Sequence, residues 1–175
     1  MSTETDEVTT VTVDHSPTRF SSIAAVVAAV VAGLTSAPFA LYAIPLGLGG
    51  IAVLASGLFM GSNRLRVTMG AAGLFLSVLI AGLFGTGPEI LLVSAAATVL
   101  AWNFGQNAIS LGEQIGASSR TRRNEIIHAS AATIVAMVGA GVGYGVYVIG
   151  SGGRPVAAVG MLALALVFMI WAIRA

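Results

Sequence analysis

The polar residues of this chain best placed to do chemistry within apolar surroundings fall in one run. Trp102-Asn103-Phe104-Gly105-Gln106-Asn107 is continued by Ser110, Glu113 and Gln114. Their spacings of three and four put them along one face of a helix. Carboxamides in hydrocarbon need partners, so Asn103, Gln106 and Asn107 are expected either to bind neighbouring helices or to line a wet path. Just beyond, Arg120, Arg122 and Arg123 form a basic cluster. Such a cluster suits anionic lipid headgroups, at about 1 kcal/mol per arginine, or an acidic surface on a partner protein. Paired guanidiniums also suit a phosphate, although nothing local forms a cradle.

Other chemistries lack their parts. There is no cysteine, hence no thiolate nucleophile, zinc-thiolate site or iron-sulfur cluster. All 8 basic residues are arginine, so the amine required by a Schiff base or a P-loop is missing. The 2 histidines, His15 and His128, stand too far apart in sequence, with too few carboxylates near them, to suggest a metal centre. Glu125 is expected to favour the positive first turn of its own helix, and Glu89, directly after Pro88, to do the same. The chain therefore reads as non-enzymatic, with neither metal nor cofactor.

The elements that must hold these residues follow from composition. Of 175 residues, 57% are hydrophobic, 22 more are glycine and only 9% are charged, with a net charge of +1. That excludes an ordinary soluble enzyme, a basic nucleic-acid binder and a disulfide-stapled domain. Residues 1–18 form an acidic, threonine-rich tail expected to be flexible. From residue 19 to 175 a transmembrane domain is expected. Crossing hydrocarbon takes about 20 helical residues, and only helices or closed barrels satisfy every backbone group there. Six helical spans fit, at residues 20–36, 38–60, 66–84, 88–108, 125–149 and 155–173, with a polar segment at 110–124 between the fourth and fifth. A five-span alternative omits the first, which is short and alanine-rich.

Six spans place Arg19, Arg64, Arg66, Arg120, Arg122, Arg123 and Arg174 on one face and Arg154 alone on the other. Since arginine collects in cytoplasmic loops, both termini are expected in the cytoplasm, in a cell membrane. Thr35-Ser-Ala-Pro38, Thr86-Gly-Pro88 and Ser151-Gly-Gly-Arg-Pro155 read as tight turns, each ending in a proline that opens the next helix. The expected architecture is three helical hairpins. Gly139, Gly141, Gly143 and Gly145 are expected to permit close helix packing, as are Gly57 and Gly61. Pro45, seven residues into the second span, is expected to kink it.

The stretch AWNFGQNAISLGEQIGASSRTRRNEIIHASA, followed by VGYGVYVIG, resembles a haloarchaeal family of small multi-pass membrane proteins without an assigned activity. The resemblance lies in the fourth and fifth helices and supplies no catalytic residues. It implies a membrane subunit of an assembly with a MoxR-type ATPase and its von Willebrand A-like companions. The expected function is a non-enzymatic accessory or scaffold subunit that presents the 110–128 segment and the tail to cytoplasmic partners. The alternative is a small channel or facilitator with a polar path along helix four, in a homo-oligomer.

Overall fold

Uniformly apolar stretches broken by Gly, Asn and Pro leave each segment one way to satisfy its own backbone, and the chain folds as helices. The computed structural model describes residues 16–36, 41–115 and 122–150. They form α1 (Arg19–Ser36), α2 (Ala43–Phe59), α3 (Arg64–Leu83), α4 (Pro88–Ile115) and α5 (Arg122–Gly150). Helices α1, α3, α4 and α5 are long and apolar enough to cross a membrane, whereas α2, with 17 residues, is shorter. The sixth expected span, 155–173, lies outside the described residues, as do Arg120, Arg154, Arg174 and most of the acidic tail.

Local chemistry sets the helix ends. Gly61 and Ser62 both take positive φ, 114° and 49°, turning the chain sharply after α2. Asn63 then caps α3 by accepting the Arg66 N–H at 3.1 Å, so α3 begins two residues earlier than expected. Pro45 corrects the expectation of a kink. Because α2 starts at Ala43, the proline falls in its first turn, where its missing N–H has no intrahelical partner to lose. α4 runs on to Ile115, carrying Ser110 and Glu113 well past the expected end of its span.

Successive helices run antiparallel. Gly33 meets Ile51, Gly57 meets Val67, Gly82 meets Leu91 and Gly143 meets Leu92. α1 closes against α4 through buried Ala25, Ala29 and Ala32, and the Ser94 hydroxyl donates to the Ala32 carbonyl at 2.8 Å. The expected hairpin pairing is corrected here: the broadest packing joins α1 to α4 and α2 to α3, rather than the helices linked by the proline turns. Small residues explain the choice. A Cβ on Gly70 would stand 2.6 Å from the Gly50 carbonyl oxygen, and one on Gly50 would stand 2.8 Å from the Leu74 nitrogen. At these crossings backbone lies against backbone.

The glycine run of α5 behaves differently. Among the described residues, a Cβ on Gly139, Gly141 or Gly145 would meet nothing within 4 Å, and one on Gly143 would touch only the end of Leu92, at 3.6 Å. Among the described residues the close packing expected of this run is made by Gly50, Gly57 and Gly70 instead, while Gly61 serves the turn. Glu125 is the one described α5 residue that is buried.

Gly70→Ala should therefore force α2 and α3 apart and destabilise the purified protein by about 2 kcal/mol, the usual scale of overpacking. Gly139→Ala should leave stability unchanged or raise it, because alanine is the better helix former. Thermal unfolding in one detergent compares the two directly, and equal losses would refute the assignment of α2/α3 as the tight interface.

Candidate functional site

The described charged side chains gather mainly at one end of the bundle, where α1, α3 and α5 begin and α2 and α4 finish. Arg19, Arg64, Arg66, Arg122 and Arg123 all lie there, together with Glu113 and Glu125. Glu89 stands at the opposite end and accepts a hydrogen bond from the Tyr144 hydroxyl at 3.0 Å. Tyr144 and Tyr147 stack there with ring centroids 6.4 Å apart.

Among the described residues the most buried charge is Glu125, only 4% exposed. Rather than serving α5 alone, it caps α1. One carboxylate oxygen, Oε2, accepts the Ser21 N–H at 3.0 Å, the Ser21 hydroxyl at 2.7 Å and the Thr18 hydroxyl at 2.8 Å. Thr18 is the N-cap of α1, since its carbonyl accepts the first helical bond, from the Ser22 N–H at 3.1 Å. Its own N–H donates to the Ala108 carbonyl of α4, also at 3.1 Å. Three helices thus meet at one cap. A carboxylate is favoured there because the free N–H groups of a helix start carry partial positive charge.

A second network joins α3 to α4. Arg64 donates to Glu113 at 2.7 Å, to Ser110 at 3.0 Å and to Gln106 at 3.4 Å. Gln106 donates in turn to the Thr68 hydroxyl at 3.1 Å and to the Arg64 carbonyl at 3.3 Å, and the Trp102 indole donates to the same hydroxyl at 3.3 Å. The Arg64–Glu113 pair is about half exposed, so it steers registry more than it adds stability.

The face expected to carry Asn103, Gln106 and Asn107 is thus divided between neighbours. Gln106 binds α3, Asn103 pairs with His128 of α5 at 3.1 Å, and Asn107 is half-buried on α4. These contacts match helix adhesion. His128 is held by a carboxamide, and no group of three metal-ligating side chains occurs among the described residues. Arg122 and Arg123 are exposed in the first turn of α5, and Arg120 lies outside the described residues.

Two roles escaped sequence reasoning: the cap that Glu125 supplies to α1 and the hub formed by Arg64. The hydroxyl-rich start TRFSS, residues 18–22, was the available signal for the first. Removing that acceptor in Glu125→Ala should leave a buried N–H and two hydroxyls short of a partner, costing about 2 kcal/mol. Glu125→Gln, which keeps an acceptor oxygen, should recover part of that in the same melting assay. A Glu125→Ala protein as stable as the parent would show that the cap is not structural.

The chain belongs to a family of unknown function, DUF7519, whose match covers residues 15–170. No curated protein and no solved structure matches it.

Proposed function

We propose that the chain is an integral protein of the cell membrane with six spans and both termini in the cytoplasm, acting as a non-enzymatic accessory or scaffold subunit. The observation that carries this reading is the segregation of charge. Arg19, Arg64, Arg66, Arg122 and Arg123 lie at one end of the bundle, and Glu89 at the other. Such asymmetry is how short loops set orientation, so the arginine end is assigned to the cytoplasm. A sixth helix over residues 155–173 would then return the chain to that side and bring Arg174 with it.

Large apolar side chains turn outward on every described helix, among them Val27, Leu48, Phe75, Val99 and Val135. Hydrocarbon is the solvent that suits such a surface. At the arginine end, Glu125 and Arg64 tie helix to helix, giving Arg122 and Arg123 a firm base from which to meet an acidic partner. The family resemblance supplies the partner class, a MoxR-type ATPase assembly. A homo-oligomer is the competing arrangement.

The cysteine-free sequence permits single-cysteine mapping. In intact cells Ser62→Cys should resist a membrane-impermeant thiol reagent and Gly87→Cys should react; the reverse pattern would invert the topology. Reversing Arg120, Arg122 and Arg123 to glutamate should strip a copurifying cytoplasmic protein from gently solubilised complexes without changing insertion. Partner recovery equal to that of the parent chain would sink the docking role.

A further inference from the structure

At the arginine end, between the start of α1 and the end of α2, lies a cavity of about 450 Å³. Arg19, Ser22 and Ser62 line its polar part, and Ile23, Leu58 and Phe59 its apolar part. Ser22 is 1% exposed, yet its hydroxyl oxygen makes no hydrogen bond among the described residues. A buried hydroxyl without a partner is costly, so its persistence beside a cavity points to a ligand that supplies one.

The walls state the chemistry of that ligand. Arg19 offers a guanidinium that forms no ion pair among the described residues, where the one ion pair is Arg64–Glu113. Beside it stand the hydroxyls of Ser22 and Ser62, a donor set suited to phosphate oxygens. Phe59 and Ile23 are 62% and 59% exposed and continue outward as apolar surface. A ligand with a phosphate at one end and hydrocarbon at the other satisfies both halves. Glu125, which caps the same end of α1, is occupied by Thr18 and Ser21, and five described arginines against two described glutamates give the described part of this end a positive balance.

We propose that this cavity binds an anionic phospholipid, its phosphate on Arg19 and the hydroxyls of Ser22 and Ser62, its chains running out over Ile23 and Phe59. The site rests on the bundle lying in a membrane and fixes a specific lipid at the cytoplasmic leaflet. The full chain is incorporated into nanodiscs, then released and examined by native mass spectrometry for retained lipid, with phosphatidylglycerol against phosphatidylcholine as the probes.

Phosphatidylglycerol should be retained in preference. Arg19→Gln should lower its retention about tenfold and Ser22→Ala about threefold, in line with losing a charged and a neutral hydrogen-bond partner. Ser130→Ala, on exposed α5 surface away from the cavity, should retain it normally. Incorporation into the discs reads the membrane assignment separately, so a bundle that incorporates but retains neither lipid overturns the site alone. Equal retention by Arg19→Gln and the parent, equal loss by all three variants, or displacement by millimolar glycerol 3-phosphate would also overturn it, the last by assigning the cavity to a water-soluble phosphate.

Discussion

A chain with apolar residues on both the inner and outer faces of its helices cannot be held together by burial alone, because moving such a helix from lipid to protein gains little. What remains is close van der Waals contact and hydrogen bonding between helices. Both are visible. Gly50 and Gly70 let the backbones of α2 and α3 touch, and buried alanines do the same for α1 on α4. Hydroxyls reach across the helix gaps: Ser94 to the Ala32 carbonyl at 2.8 Å, and the Ser36 and Ser77 hydroxyls to each other at 3.3 Å. The arrangement of the helices follows from where small residues allow approach.

This constraint also explains the unequal ends of the bundle. An acid among apolar helices is tolerable only where donors converge, and the open N-terminus of α1 is such a place. Glu125 therefore does two jobs, ending the electrostatic frustration of α1 and tying α5 to the bundle core, which it otherwise touches lightly along α4. Arg64 plays the matching role for α3 and α4. With both links at one end, the remaining arginines project from a braced platform.

Several features were legible because they are local. The helix starts at Pro88 and near Arg19, the end of α1 at Ser36 and the polar extension of α4 all follow from turn residues and apolar length. That Asn103 and Gln106 need partners followed from the cost of burying an amide, but which partners they find, His128 and Thr68, did not. The kink expected at Pro45 failed because the helix boundary itself was misplaced, and a proline's effect depends on its distance from that boundary.

By itself, then, the sequence determined that the chain is helical and apolar and that its arginines cluster where helices begin and end, because backbone hydrogen bonding in apolar surroundings admits few alternatives. Only the tertiary structure decided which glycines are contacts. The runs in α2 and α5 look alike as text, yet Gly50 meets the backbone of α3 while Gly139 meets nothing within 4 Å among the described residues. It also decided that Glu125, in the first turn of its own helix, caps α1 as well, through Ser21, 104 residues away. The reason is common to both: segments of similar composition differ in which neighbour their shape fits, and that fit is a property of pairs of surfaces rather than of either segment alone.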